Sequence, residues 1–357
     1  MHWAKLQSKA RLNLATSGVA AYPLSELPVT IDQFEINGDH TYGYAPLQTA
    51  IAKKAHVDPD CVVAAAGTSM ANHLAMAALI EPGDEVLIEH PTYELLVSTA
   101  CYLQASIKRF SRFESDGYAI NPSEIREAIT PNTKLIVLTN LHNPSSVLTP
   151  ESTLREVGDI ARSINARVLV DEVYLDAVYQ NTPASSFHLG KEFVATSSLT
   201  KVYGLSGLRC GWILAQPDHA RAMYRLNDLF GAVPPHPAEL LSVIAFQHLN
   251  KIRERARAIV EADRALLANF FAADQGQSFA AVTTESGTTA FPRLKHANVD
   301  LFITQLREKH ETSVVPGRFF AMPGHFRIGM GVSNEMFAEG LRRLTPATKT
   351  PQPVGEG

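Results

Sequence analysis

The chain has 357 residues, 45% hydrophobic and 19% charged, a composition that excludes a disordered or collagen-like protein and favours a globular enzyme. Lysine and arginine number 32 against 36 aspartates and glutamates, so the net charge of −4 offers no global basic field to nucleic acid or anionic lipid. Neither an apolar run of the roughly 18 residues that span a bilayer nor a signal-peptide core is present, so we expect a cytoplasmic protein with small-molecule partners.

Seven short apolar runs predict the strands of a mostly parallel sheet. The runs do not alternate with polar residues, which is typical of strands covered by helices on both faces. In chain order they lie at residues 62–65, 86–88, 106–107, 135–138, 168–170, 193–195 and 212–214.

Helix signals separate these runs. Asn121 and Pro122 provide a cap and a first-turn proline, and Thr149–Pro150 opens a second helix. The proline cluster Pro234–Pro237 precedes a long helical stretch to about Phe271, followed by short strand and helix patterns. We therefore predict an α/β fold, with a large domain and a smaller α+β domain built from both termini. The predicted bounds are 35–233 for the large domain, 1–34 with 234–344 for the small domain, and 345–357 for a disordered tail.

Several common signatures of α/β enzymes and metal sites are absent. Gly329 and Gly331 are not followed by the third glycine of a dinucleotide fingerprint, because Asn334 stands there. The sequence contains no Walker A motif, HExxH or GxSxG. The three cysteines, at 61, 101 and 210, are widely spaced without CxxC, so we expect reduced thiols and no metal site.

The most informative stretch follows the run at residues 193–195. Lys201 lies there among small and hydroxylic residues, with Ser198 three residues before it and Arg209 eight after. A lysine in such a pocket, with no nearby acid to match its charge, suits Schiff-base chemistry, and the serine and arginine suit a phosphate.

Together these residues resemble the lysine motif of fold-type I pyridoxal-phosphate enzymes, in the class I/II aminotransferase family. The resemblance covers about residues 14–344. It implies pyridoxal 5'-phosphate as the cofactor and a homodimer. Lys201 matches the lysine that binds the cofactor covalently and moves the proton, and Ser198 and Arg209 match phosphate ligands.

Other family motifs follow in the same order. Asp171 closes a predicted buried strand and matches the aspartate that pairs with the pyridine nitrogen, which makes the ring an electron sink. Tyr174 and Asn143 match two donors to the phenolic oxygen of the cofactor, and Asn143 is also expected beside the substrate. Tyr93 matches the aromatic residue that stacks on the ring.

Two further motifs match anion-binding parts of the family site. Gly67, Thr68 and Ser69 stand between a predicted strand and a predicted helix, whose N-terminus offers N–H groups to the phosphate. Arg327 matches the arginine that binds the substrate α-carboxylate, a role that suits its planar fork.

The resemblance also implies contacts from the partner subunit and from the N-terminal segment. Tyr42 matches the tyrosine that contacts the cofactor phosphate in the neighbouring subunit, and Tyr44 is an alternative for that role. Gly18 lies in the segment expected beside the substrate.

Two features depart from the family pattern. The family usually continues Thr-Gly after the asparagine and proline, whereas Ser145–Ser146 follow Asn143–Pro144 here. Only a dozen residues precede Asn13, which argues against a long N-terminal arm around a partner subunit.

The expected activity is transfer of an amino group from an L-amino acid to a 2-oxo acid. A C–S or β-eliminating lyase, a decarboxylase and a histidinol-phosphate aminotransferase remain alternatives, because they use the same lysine and aspartate. A non-catalytic regulator is disfavoured by the intact set of site residues. No second arginine for an acidic side chain can be assigned.

Overall fold

The computed structural model describes residues 2–38, 42–280, 282, 284–295 and 298–349. The strands of the described residues, numbered β1 to β12, are Leu12–Asn13, Val62–Ala66, Glu85–His90, Ser106–Ser111, Thr133–Thr139, Arg167–Asp171, Phe193–Ser198, Cys210–Leu214, Thr289–Ala290, Thr312–Ser313, Val315–Pro316 and Phe326–Gly329. The helices, α1 to α11, are His2–Leu6, Ala45–Ala55, Thr68–Leu79, Glu94–Tyr102, Pro122–Ala128, Glu151–Ser163, Pro217–Asn227, His236–Gln247, Leu249–Asp274, Val299–His310 and Asn334–Lys349.

The seven predicted strands form one sheet, which confirms the predicted α/β fold. Their order is β2-β8-β7-β6-β5-β3-β4, and β8 alone in this sheet runs antiparallel to its neighbours. Alternate residues enter different cores: Val86 and Ile88 pack towards α3, and Leu87 packs towards α6. Both faces of the sheet are therefore covered, which explains the uninterrupted apolar runs.

Three neighbouring strands bring polar residues to one edge of this sheet. In the strand register, Thr139 of β5 lies beside Asp171 of β6, and Asp171 lies beside Thr196 of β7. These residues mark the carboxyl ends of parallel strands, where open α/β sheets bind their ligands.

A second core joins the two ends of the chain. β1 pairs with β10 in parallel, while β9, β11 and β12 form an antiparallel sheet. Trp3 and Leu14 from the N-terminal segment pack there with Phe326 and Phe337. This core is the smaller α+β unit that the sequence predicts from both termini.

The long helical stretch after the proline cluster bridges the two cores. It breaks at His248 into α8 and α9. Ala245 and Val260 pack in the core of the large sheet, whereas Leu267 belongs to the second core. The chain thus crosses between cores within α9 and not at Pro234–Pro237, and the bounds of the two domains stay a prediction.

The last helix is longer than expected. α11 continues through Lys349, so residues 345–349 are helical where the sequence predicts a disordered tail. Phe337, Leu341 and Leu344 anchor the helix on the second core, and its final turn continues from them. Residues 350–357, the rest of the predicted tail, lie outside the described residues. Within the described ranges, no helix is both long and apolar enough to cross a membrane.

Candidate active site

A cavity of about 930 Å³ lies at the carboxyl ends of β5, β6 and β7 and reaches the second core. It gathers residues that are up to 324 positions apart in the chain, from Trp3 to Arg327. The predicted site residues that line it are Thr68, Ser69, Tyr93, Asn143, Asp171, Tyr174, Ser198, Lys201, Arg209 and Arg327.

Asp171 is the buried carboxylate of this cavity. Asn72 Nδ2 donates to its Oδ2 at 2.8 Å, and the backbone N–H of Val173 donates to its Oδ1 at 3.1 Å. Burial raises the pKa of Asp171 to about 6, although these hydrogen bonds and the charge of Lys201 oppose the shift. The ionised carboxylate is therefore costly here unless a cationic donor binds beside it.

The first turn of α3 and Arg209 form an anion-binding corner. Gly67 precedes this helix with φ of +79°, a conformation in which any side chain is strained, and a Cβ there would also displace the Arg209 guanidinium. Arg209 donates to the carbonyl oxygen of Ala66 at 3.0 Å. Thr68 Oγ1 is buried and has no hydrogen-bond partner among the described residues. Free N–H groups of a first helical turn, a hydroxyl and a guanidinium together suit a phosphate.

Lys201 follows β7 on a short turn. The N–H of Thr200 donates to Ser198 Oγ at 3.2 Å, which fixes the turn that presents the lysine. The N–H of Val19 donates to the carbonyl oxygen of Lys201 at 2.8 Å. Gly18 allows this approach, since a Cβ there would lie 3.2 Å from Lys201 Cα. A contact between Gly18 and substrate stays a prediction.

Arg327, on β12, is buried on the other side of the cavity. One terminal nitrogen donates to Asn143 Oδ1 at 3.0 Å, and the guanidinium carbon lies 5.2 Å from the centre of the Phe320 ring. Burial lowers the pKa of Arg327, while Tyr174 and Tyr93 oppose the shift. Its Nε has no hydrogen-bond partner among the described residues. A buried guanidinium with spare donor capacity suits a carboxylate.

Tyr93 caps α4 at the centre of this group. Burial raises the pKa of its phenol, and the nearby Tyr174 and Asp171 raise it further. The side chain therefore stays neutral at physiological pH and presents an aromatic surface in the cavity.

Comparison of the sequence with known protein families agrees with these observations of the site. The sequence model of the family aminotransferase class I and II matches residues 34–344 of this chain. The chain belongs to this family. Its members are enzymes that use pyridoxal 5'-phosphate, so the resemblance, the cofactor and the enzyme class predicted from the sequence are confirmed.

Relatives of this aminotransferase-family chain include enzymes named for different activities. Capreomycidine synthase from Streptomyces vinaceus is 28% identical, and the match covers 94% of this chain and 90% of the relative. A pyridoxal-phosphate-dependent aminotransferase from Streptococcus suis has a solved structure with 25% identity and a TM-score of 0.90, covering 97% and 96% of the two chains. The solved pyridoxal-phosphate-dependent cyclase OrfR is 25% identical with a TM-score of 0.85, covering 93% and 91%.

The cavity of this family member fits the cofactor at both ends. The corner at Thr68 and Arg209 offers donors for the phosphate, including a buried hydroxyl that has no partner in the part of the chain that the structure describes. Asp171 offers a carboxylate that a protonated pyridine nitrogen would stabilise. Lys201 lies in the same cavity, as a covalent link requires.

Tyr42 and Tyr44 lie outside the lining of this cavity. Tyr42 is 51% exposed, with its ring 6.2 Å from that of Tyr224. Tyr44 packs edge-on against His236 at 4.8 Å and is less exposed. Exposure therefore favours Tyr42 as the residue that reaches a partner subunit, and its role stays a prediction.

Several residues of the site were not predictable from the family motifs. Asn72 bridges two strands, because its Oδ1 accepts from Thr196 Oγ1 at 2.6 Å while its Nδ2 donates to Asp171. The available signal was an asparagine one turn into a helix whose residues from Met70 onward are otherwise apolar except for His73. Trp3 and Lys5 of α1 also line the cavity. No local pattern in the sequence placed them there.

Proposed function

We propose that this enzyme transfers an amino group from an L-amino acid to a 2-oxo acid through a Schiff base on Lys201. One observation carries the proposal: a single cavity holds Lys201, the buried carboxylate of Asp171 and the buried guanidinium of Arg327. These three groups supply the amine, the ring partner and the carboxylate anchor that transamination requires.

The residues divide the chemical work. Bound pyridoxal phosphate supplies an electron sink that stabilises negative charge at the substrate α-carbon. Asp171 holds a proton on the pyridine nitrogen, and its burial strengthens that interaction. The Lys201 amine removes the α-proton and returns it at the end of the half-reaction. Thr68, Ser69, Ser198 and Arg209 bind the phosphate.

Arg327 sets the orientation of the substrate. Its guanidinium donates a hydrogen bond to Asn143 and lies over the Phe320 ring, and these two contacts restrict its orientation. A bidentate contact with the α-carboxylate fixes the remaining bonds at the α-carbon, and orientation decides which of them breaks.

The proposal predicts the outcome of mixing holoenzyme with an amino donor alone. The cofactor is expected to convert once to its amine form, with one oxo acid per site and no ammonia, because the amino group stays on the cofactor. Absorbance, oxo-acid yield and ammonia release measured together check this. Continuous release of ammonia would instead show a β-eliminating lyase, and carbon dioxide would show a decarboxylase.

A cyclase is the second candidate function. It is favoured by two relatives, the capreomycidine synthase at 28% identity and the cyclase OrfR at 25%. Such an activity would consume an amino acid repeatedly, without a 2-oxo acid and without ammonia. Mass spectrometry of the product from the same experiment distinguishes it from transamination.

Arg327 and Arg209 are predicted to act on different anions. Arg327→Ala is expected to keep its cofactor but to lose roughly 10-fold to more than 100-fold in kcat/KM for amino acids, the worth of a charge-assisted contact of ~1.5 to 3 kcal/mol. Amines without a carboxylate should lose little. The check is kcat/KM for an amino acid and its decarboxylated amine.

The matched variant is Arg209→Ala, which should weaken cofactor retention first, because Arg209 stands at the phosphate corner. Cofactor occupancy after dialysis separates the two arginines. Should Arg327→Ala shed cofactor while its preference for amino acids survives, the carboxylate assignment is wrong.

We also propose a homodimer in which Tyr42 reaches the neighbouring phosphate. Its exposure outside the cavity of its own chain supports this assignment.

A further inference from the structure

The loop after Asn143 carries a serine in an unusual backbone conformation. Ser146 has φ of +64° and is buried, at 6% exposure. For a residue with a side chain, this left-handed conformation costs about 1–2 kcal/mol, and glycine avoids most of that cost. Contacts of the serine side chain must therefore offset the cost.

The Ser146 hydroxyl makes these contacts across the two cores. Its Oγ donates to the carbonyl oxygen of Thr289 at 2.8 Å and lies 2.9 Å from Thr289 Oγ1. Thr289 Oγ1 in turn lies 3.1 Å from the carbonyl oxygen of Pro144, to which it donates. Gly287 leaves room for the hydroxyl, because a Cβ at that position would collide with Ser146 Oγ.

Together with the hydrogen bond between Asn143 and Arg327, these contacts connect the loop to the small sheet at two points. Thr289 lies on β9, which pairs with β12 in the register Thr289 to Gly329 and Ala290 to Ile328. Arg327 precedes Ile328 on β12 and donates to Asn143 Oδ1 at 3.0 Å. Asn143 begins the loop that contains Ser146. The loop is therefore fastened to the same small sheet at both of its ends.

We propose that Ser146 and Thr289 are positioning residues that fasten this loop and so orient the Asn143–Arg327 pair towards the substrate carboxylate. The inference rests on the proposed function, in which Arg327 binds that carboxylate. Without the hydroxyl contacts, the loop can move relative to β12, and Asn143 Oδ1 no longer fixes the guanidinium plane.

Two probes isolate carboxylate recognition from catalytic turnover. Aminooxyacetate and O-methylhydroxylamine each displace the Lys201 amine from its Schiff base with the cofactor in the holoenzyme, which forms an oxime and releases the free lysine amine, but only the first carries a carboxylate. The ratio of their second-order rate constants measures recognition by Arg327. Neither reaction needs transfer of an α-proton, so the ratio does not depend on transamination.

Ser146→Ala and Thr289→Val are each expected to lower this ratio about 5-fold, the effect of one lost hydrogen bond. The rate with O-methylhydroxylamine should change less than about 2-fold, on the same scale. Ser146→Gly separates positioning from stability, because it relieves the backbone cost but also lacks the hydroxyl. We expect it to unfold at a higher temperature than Ser146→Ala and yet to show the same reduced ratio.

Ser242→Ala is the matched control. Ser242 is a fully buried serine whose Oγ also donates to a carbonyl oxygen, that of Ala238 at 2.6 Å, outside the lining of the cavity. In Ser242→Ala, the ratio of the rate constants for the two probes should equal that of the unsubstituted enzyme. Arg327→Ala gives the lower limit of the ratio.

An unchanged ratio in Ser146→Ala and Ser146→Gly would overturn the inference, and so would equal slowing of both probes. A ratio in the unsubstituted enzyme no higher than that of Arg327→Ala would overturn it as well. If the unsubstituted enzyme discriminates between the probes but does not transaminate, the proposed reaction fails and the positioning role stands.

Discussion

Lys201→Ala is expected to abolish the covalent link to the cofactor and to lower kcat by at least ~10⁴-fold, the upper range for loss of a positioned acid–base group. The fold should survive, because the Lys201 amine lines a cavity and has no hydrogen-bond partner among the described residues. Removing it therefore breaks no hydrogen bond. The Asp171 carboxylate loses a favourable charge but keeps its hydrogen bonds from Asn72 and Val173, so the Tm should shift by less than about 2 °C.

Borohydride reduction of the holoenzyme, followed by peptide mapping, measures the link directly. Lys5→Ala is the matched control, since Lys5 is a second lysine in the lining of the same cavity. We expect label on Lys201 in the unsubstituted enzyme and in Lys5→Ala, and none in Lys201→Ala. Label that is lost in Lys5→Ala, or that persists in Lys201→Ala, contradicts the assignment.

The central strands were predictable because burial on both faces removes polar residues from their middles, whereas the edge strand β4 is only partly buried and carries Lys108 and Arg109 in its middle. The ends of the strands were less predictable. β5 begins at Thr133, two residues before the apolar run at 135–138. Thr133 is nevertheless fully buried, and its hydroxyl donates to Glu85. A polar residue satisfied by a neighbouring strand cannot be distinguished from a loop residue by sequence pattern alone.

Packing between distant segments was not predictable from local sequence. The proline cluster at Pro234–Pro237 marks a real break in secondary structure, yet α8 beyond it returns to α2 and β8. Local sequence also gave no reason for α1 to reach the active-site cavity through Trp3.

For the candidate site, residue types were predictable and their connections were not. Motifs placed Asn143 and Arg327 in one cavity, but the bond between them joins residues 184 positions apart. The substitution of serine at position 146 was visible in the sequence as a departure from the family. Its partner, Thr289, became identifiable only in the folded chain.

Asp171→Asn is expected to lower kcat/KM by at least ~100-fold, comparable to losing one preorganised electrostatic contact. Asparagine keeps the size of the side chain but cannot neutralise a protonated pyridine nitrogen. The same substitution should change how the stability of the cofactor-free protein depends on pH, which gives a measurement independent of activity.

The sign follows from the raised pKa of Asp171. Its pKa is about 6 in the folded chain, against 3.8 for an unperturbed aspartate. Between these values the folded protein binds more protons than the unfolded chain, so the free energy of unfolding falls as pH rises. At 1.36 kcal/mol per pKa unit, up to about 3 kcal/mol of stability is lost between about pH 4 and pH 7.

Asp171→Asn removes this dependence, because asparagine does not titrate. Its amide also places an N–H where the carboxylate accepted a hydrogen bond from Asn72 or Val173, and this penalty does not vary with pH. The decisive quantity is therefore the difference in unfolding free energy between variant and unsubstituted protein, measured by urea at several pH values. We expect that difference to rise by up to about 3 kcal/mol in favour of the variant from pH 4 to pH 7.

Cofactor supplies the matched control within the same protein. Bound pyridoxal phosphate gives the Asp171 carboxylate a cationic partner, which favours its ionised form, so the pH-dependent difference should shrink or reverse in the holoenzyme. A difference that is constant with pH in the cofactor-free protein would show that burial does not raise this pKa. A difference that cofactor leaves unchanged would show that the carboxylate does not face the ring.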